Sequence, residues 1–172
     1  RLALARDRPT LVMAVHPLCP CSRASLSELE VLLARIGGRL DTRVLFVEPT
    51  SGALEATDAD LWEQAGRIPG VERIRDQGGR IAARFHLTTS GHCVLYTADG
   101  ALRFSGGITG PRGHAGDNAG RAAIAAIVMN DEGRDDRSFV FGCPLFDPAW
   151  LADLARSVPI FGSGPLPRGR SQ

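Results

Sequence analysis

Lysine is absent from this chain of 172 residues: all twenty basic residues are arginine, set against nineteen acidic ones, for a formal net charge of +1. A near-neutral balance with scattered charges excludes an electrostatic nucleic-acid face, and the arginine bias reads as the trace of a GC-rich genome. Long apolar runs are missing too. No stretch reaches the roughly 18 consecutive apolar residues that a membrane span requires. Cysteine is sparse, with only Cys19, Cys21, Cys93 and Cys143 at uneven spacing. That excludes the dense disulfide framework of a small secreted scaffold and leaves thiol chemistry or ordinary core positions. A chain of this length can bury a core without disulfides, so a single domain over 1–172 is expected. Methionine does not open the sequence, which begins RLALARDRPT; an upstream signal or membrane anchor is expected from that start. Internal repeats are absent.

What the chain does have is a thiol motif at a structural junction. Residues 10–15 (TLVMAV) form a short apolar run with β-branched members, the pattern of a buried strand. After it, Leu26, Leu29, Leu33 and Ile36 recur at helical spacing, and Gly37-Gly38 supplies a C-cap. Between the two lies Cys19-Pro20-Cys21, with Cys19 at the expected N-cap and Pro20 at the first helical position, where its missing N–H costs nothing. A helix start offers unpaired N–H groups and the positive end of the helix dipole, which stabilise a thiolate, the form that attacks disulfides and binds metals.

The rest of the chain continues a β-α pattern. Residues 43–48 (RVLFVE) read as the next buried strand, 49–59 as a loop, 60–66 as a short helix, 71–75 as a strand and 79–86 as a helix with Ile81 and Phe85 four apart. Residues 93–97 and 102–105 read as strands joined by Ala98-Asp99-Gly100, a hairpin signal. Residues 106–120 hold six glycines in fifteen positions and read as a shaped loop, with Asp117 or Asn118 capping a helix over 121–129. A charged connection over 130–138, an apolar segment over 139–146 carrying Cys143, a helical turn at 150–154 and a mobile tail at 162–172 complete the reading.

The order of strand, cysteine turn, helix, strand, two helices, hairpin and helix resembles the thioredoxin fold, in particular the extracytoplasmic redoxin branch typified by TlpA and ResA. The stretches that carry the resemblance are LVMAVHPLCPCSRASLSELEVL and IRDQGGRIAARFHLTTSGHCVLYTADGALRFSGGI; CPCSRAS with SGGITGPRGHAGDNAGR and FGCPLFD is also similar to RedB-like proteins. It covers about 10–130, leaving 131–161 as a C-terminal extension. The resemblance implies an α/β thioredoxin-like fold, a central mixed sheet with helices on both faces, and a thiol-disulfide oxidoreductase in the periplasm or another extracytoplasmic space, acting on protein thiols or disulfides with no cofactor required. It also implies Cys19 as the nucleophile. Two features depart from the family: the motif is C-x-C rather than C-x-x-C, and the family's cis-proline falls on or beside Gly91, where there is no proline. In the family that proline blocks metal coordination and helps bind the substrate backbone.

Several residues could complete the chemistry. A disulfide between positions i and i+2 closes a small ring and fits preferred geometry poorly, so a Cys19–Cys21 bond is expected to be easily reduced. Cys143 is a candidate resolving cysteine or a buried small hydrophobe. Cys93 reads as a core thiol, which by strand alternation sends His92 to the opposite side, near Gly91. His16, three residues before Cys19, and His92 could tune a thiolate or, with Cys19 and Cys21, hold copper. That copper carrier is the competing function, and a non-catalytic subunit of a membrane redox complex is a third. His114 is a supporting candidate in the glycine-rich loop; Arg112 and Arg121 read as solvated. Peroxiredoxin chemistry does not fit, because Pro17 lies only two residues before Cys19 with no Ser or Thr between them.

Overall fold

Strand β1 (Thr10–Val15) is buried along its whole length and forms the middle of the sheet, as its uninterrupted apolar character requires. The computed structural model describes residues 2–48, 57–111, 114, 116–130 and 136–146. In chain order the elements are β1, α1 (Pro20–Ile36), β2 (Asp41–Glu48), α2 (Thr57–Arg67), β3 (Val71–Gln77), α3 (Arg80–Arg84), β4 (His92–Tyr96), β5 (Leu102–Gly107), α4 (Ala119–Asn130) and β6 (Asp136–Arg137). The six strands lie in the order β3-β2-β1-β4-β5-β6. β1 runs parallel to β2 with Met13 opposite Val44, and antiparallel to β4 with Met13 opposite Cys93, so the sheet is mixed.

Alternation along the strands divides the core in two. Leu11, Met13, Val15, Val44, Phe46, Cys93 and Leu95 face α1, α2 and α4, where Leu26, Leu29, Leu32, Leu61, Ala65 and Ile124 meet them. Val12, Ala14, Leu45, Val47 and Val94 face the other way, against Ala82, Leu87, Leu145 and Phe146. Each fully buried Leu or Ile contributes on the order of 1.5–3 kcal/mol relative to exposure. The buried stripe of α1 runs through Leu29, Leu32 and Ile36, with Leu33 only partly covered. Together these features make a thioredoxin-like α/β fold with helices on both faces of the sheet.

Some elements differ from the expectation, each for a physical reason. α3 is shorter than 79–86 because Phe85 is its C-cap and His86 turns left-handed at φ 56°. Asp76 fastens its first turn, accepting the amides of Ile81 at 2.8 Å and Ala82 at 2.7 Å. β5 continues through Gly106 and Gly107, which the sequence placed in a loop. These glycines serve close approach: an added Cβ on Gly106 would lie 2.2 Å from Ser138 Oγ, and one on Gly107 would lie 2.7 Å from the Phe139 carbonyl oxygen. The returning chain crosses them there, and Asp136–Arg137, read from sequence as connection, pairs in parallel with β5. α4 starts at Ala119 with Asn118 as its cap: Asn118 Oδ1 accepts the Arg121 amide at 2.8 Å. The loop at 49–56 and the expected helical turn and tail at 150–154 and 162–172 lie outside the described residues, as do most of the 131–161 extension and Arg112.

Candidate functional site

Cys19 is the N-cap of α1, with extended backbone at φ −84° and ψ 119° and Pro20 behind it at the first helical position. Its amide donates to the His16 carbonyl at 3.1 Å and its own carbonyl accepts the Ser22 amide at 3.0 Å, which closes the turn between β1 and α1. The sulfur also faces a segment far away in sequence. Sγ of Cys19 accepts the backbone amide of Cys143 at 3.4 Å.

The chain reaches that position through a short antiparallel contact. Thr89 bridges Pro144, the Ser90 amide donates to the Cys143 carbonyl at 2.8 Å, and the Leu145 amide donates to the Thr88 carbonyl at 2.9 Å. Leu145 and Phe146 anchor the far end in the second core. Gly142 passes directly over Ser90; a Cβ there would sit 2.0 Å from the Ser90 carbonyl oxygen. As a result Cys19 is buried, Cys21 half-buried and Cys143 exposed, with all three as thiols.

The electrostatics separate the three sulfurs. Burial pushes the Cys19 thiol up, but hydrogen bonds from the Cys143 thiol, the Cys143 and Cys21 amides and Ser90 outweigh it, so its pKa falls below the ordinary thiol value. The Cys143 thiol is pushed up to about 11, first because it donates its hydrogen to Cys19 and then through burial and the neighbouring sulfur charges. Cys21 is raised by burial, then by the charge on Cys19 and its bond to it. Of the three thiols at the site, Cys19 is the one whose surroundings favour the thiolate, while those of Cys21 and Cys143 favour the thiol.

Ser90 and Ser22 were not singled out from the sequence, yet they build the floor of the site. Ser90 is fully buried; its Oγ accepts the His16 amide at 2.9 Å and lies 2.8 Å from the Ser22 hydroxyl, which also meets the His16 carbonyl. The available signal was a serine directly beside Gly91. Gly91 itself sits at φ 85°, donates its amide to the Ala14 carbonyl at 2.7 Å, and would bring a Cβ within 2.6 Å of Ser25 Oγ. Proline suits neither that φ nor that donor, so glycine is what this turn requires.

The other expected residues are distributed as follows. His16 Nδ1 accepts the Leu18 amide at 3.1 Å, holding the turn before Cys19. His92 lies on the opposite face from Cys93, as alternation predicted; its Nε2 is 3.0 Å from Ser105 Oγ, and burial lowers its pKa, favouring the neutral ring. Cys93 is wholly buried in the first core and its thiol is strongly raised by that burial. His114 is exposed, and its loop is pinned elsewhere: the buried Glu28 accepts the Gly116 amide at 2.7 Å and the Asn118 side chain at 3.3 Å and pairs with Arg121. Arg121 is thus an ion-pair partner of α1, correcting its reading as solvated. Glu28 is nine residues past Cys19, about 13 Å along the helix at 1.5 Å per residue, so this anchor sits more than two turns from the sulfurs. Among the described residues, no group of three or more His, Cys, Asp or Glu side chains is arranged to hold a metal ion, and no helix is long and apolar enough to cross a membrane.

No family model matches the sequence, and no curated protein matches it. Solved structures do match the fold. The chain is similar to a hypothetical protein from Sinorhizobium meliloti 1021, at 17% identity and TM-score 0.61 over 81% of this chain and 80% of that one. It is likewise similar to an uncharacterized conserved protein from Geobacillus kaustophilus, at 17% identity and TM-score 0.63 over 83% and 79%. A looser likeness, 17% identity and TM-score 0.48 over 70% and 80%, links it to a secreted Mycobacterium tuberculosis disulfide oxidoreductase homologous to Escherichia coli DsbE. The first two likenesses carry the architecture, and the sulfur site stands on its own geometry.

Proposed function

We propose that this protein is an extracytoplasmic thiol-disulfide oxidoreductase acting on protein thiols or disulfides, with Cys19 as nucleophile and Cys143 as resolving cysteine. The observation that carries this reading is the convergence of the Cys143 amide and thiol on Cys19 Sγ. In the reducing direction, the Cys19 thiolate attacks one sulfur of a substrate disulfide. That S–S bond breaks and its electron pair leaves on the second substrate sulfur, giving a mixed disulfide. Cys143 then yields its proton to the released thiolate or to water and attacks Cys19 Sγ. The mixed bond breaks, the remaining substrate sulfur departs as thiolate, and a Cys19–Cys143 disulfide remains. The substrate gains two electrons and the protein loses two; the oxidising direction is the same sequence reversed. Cys21, beside the nucleophile with a raised pKa, is the alternative partner.

Insulin reduction and non-reducing peptide mapping test the scheme. Cys19→Ser is expected to abolish turnover, Cys143→Ala to accumulate the mixed disulfide, and Cys21→Ala to retain turnover. Mapping of the oxidised protein should find Cys19 linked to Cys143; linkage of Cys19 only to Cys21 overturns the resolving role. Stoichiometric copper on the reduced protein, lost in Cys19→Ser, would replace the scheme with a metal carrier using Cys19, Cys21 and His16 or His92.

A further inference from the structure

The two sulfurs of the long-range pair differ in how easily a second molecule can reach them. Cys19 keeps 2% of its surface exposed, whereas Cys143 is exposed and stands between Gly142 and Pro144, which are exposed as well. We propose that once Cys19 and Cys143 are bonded, the thiol that returns the protein to its reduced state attacks Cys143, so that electrons enter through the C-terminal segment and the buried Cys19 serves as leaving group. The proposal rests on the exchange scheme above and deepens it by naming the entry point and the class of the regenerating partner, a dithiol reductant.

Exchange at a disulfide needs the attacking sulfur in line with the bond, beyond the sulfur it attacks, and it favours the more accessible sulfur and the better leaving thiolate. Attack on Cys19 fails the access condition. Its sulfur accepts the Cys143 amide at 3.4 Å and hydrogen bonds from the Cys21 amide and the Ser90 hydroxyl, and Ser90 is fully buried. In the reduced protein the Cys143 thiol is joined to Cys19 by a hydrogen bond alone, so this exposed side chain can rotate away and open Cys19 to a substrate disulfide. The S–S bond removes that freedom. Nor can the segment lift as a whole, because the Cys143 carbonyl accepts the Ser90 amide at 2.8 Å and Leu145 and Phe146 are buried in the second core just beyond. The donors that crowd Cys19 also stabilise the thiolate it becomes on leaving.

In this step a reductant thiolate attacks Cys143 Sγ, the Cys143–Cys19 bond breaks, and its electron pair leaves on Cys19. The reductant's second thiol gives up its proton and attacks the reductant sulfur of the mixed disulfide. That bond breaks, and Cys143 departs as thiolate and takes up a proton. The protein gains two electrons, and the dithiol, now an internal disulfide, loses two. Gly142 puts no side chain beside the exposed sulfur, so the dithiol can belong to a partner as large as another protein.

Glutathione, a bulky monothiol, marks the sulfur that is attacked. The oxidised, unaltered protein and oxidised Cys21→Ala, in which no shuffling through Cys21 can occur, are each mixed with excess glutathione while iodoacetamide captures every freed thiol, so that adducts accumulate even against an unfavourable equilibrium. Peptide mapping is expected to find glutathione on Cys143 and the carbamidomethyl group on Cys19, in at least about tenfold excess over the reverse. A smaller excess, or glutathione chiefly on Cys19, overturns the proposal. Mapping before glutathione is added separates this proposal from the scheme beneath it. Without a Cys19–Cys143 bond in the oxidised protein, the exchange scheme falls and the proposal with it; with the bond present and glutathione on Cys19, the scheme stands and the proposal alone falls.

Discussion

The backbone amide of Cys143 donates to Sγ of Cys19 at 3.4 Å, across a sequence separation of 124 residues. A contact between a helix cap and a returning C-terminal strand sets the ionisation of both sulfurs, and it makes the pair separable by mutation. Cys143→Ala keeps the amide but removes the thiol donor, so the Cys19 pKa is expected to rise toward the ordinary thiol value. Thiolate absorbance at 240 nm across a pH series checks this. The sign for stability follows. A thiol whose folded pKa lies below its unfolded one adds stability above the unfolded value and loses it as pH falls through the folded value, so that increment should shrink in Cys143→Ala. An unchanged Cys19 titration would mean that the Cys143 thiol does not polarise it.

Ser90→Ala removes a buried hydroxyl that receives the His16 amide and meets the Ser22 hydroxyl. Leaving buried donors unpaired costs about 1–3 kcal/mol, and the Cys19 thiolate loses one of its donors as well. The expected outcome is a destabilisation of that order in urea denaturation together with a raised Cys19 pKa. Cys93→Ala serves as the comparison: it empties a little core volume, costing on the order of 1 kcal/mol, and leaves the Cys19 titration where it was.

The sequence was informative wherever a pattern is local. The apolar run of β1, the placement of Cys19 and Pro20 at the head of α1, a cap at Asp117 or Asn118 and the alternation that separates Cys93 from His92 all follow from spacing of two or of three to four residues. What stayed hidden depends on chain return. Nothing near Ser90 announces that residues 142–145 will pair with it, and nothing near Gly106 or Gly107 says that their missing side chains admit Ser138 and Phe139. Glycines that look like loop punctuation are here a track for a distant strand. Arg121 likewise looks like a surface charge until α4 packs against α1 and sets it beside Glu28.

Arg121 is 16% exposed and Glu28 4%, and the two pair directly. Glu28 also receives the Gly116 amide and the Asn118 side chain, so this one carboxylate ties the loop before α4 to α1. Arg121→Met keeps the stem and removes the charge, leaving a buried carboxylate without its ionic partner. The expected loss is about 3–5 kcal/mol, measured by urea denaturation. Because this anchor is separate from the sulfurs, the Cys19 titration should not move in the same variant at temperatures where it remains folded.

Closing a bond between Cys19 and Cys143 ties together nearly the whole described chain, whereas a bond to Cys21 closes a ring of three residues. In the chain-entropy account, a loop of about 100 residues stabilises the fold by roughly 4–5 kcal/mol, against roughly 1.6 kcal/mol for so small a ring. Stability and redox poise are linked: whatever the disulfide adds to the fold, the fold adds to the disulfide, lowering its reduction potential. The oxidised protein is therefore expected to unfold at a higher urea midpoint than the reduced one, and to be reduced only by a strong dithiol. Dithiothreitol redox titration of Cys21→Ala, which retains only the long-range pair at the site, measures this directly. Failure of that variant to form a disulfide, while the unaltered protein titrates in the range of strong oxidants with no gain in its urea midpoint, would place the working disulfide in the short ring and remove Cys143 from the reaction.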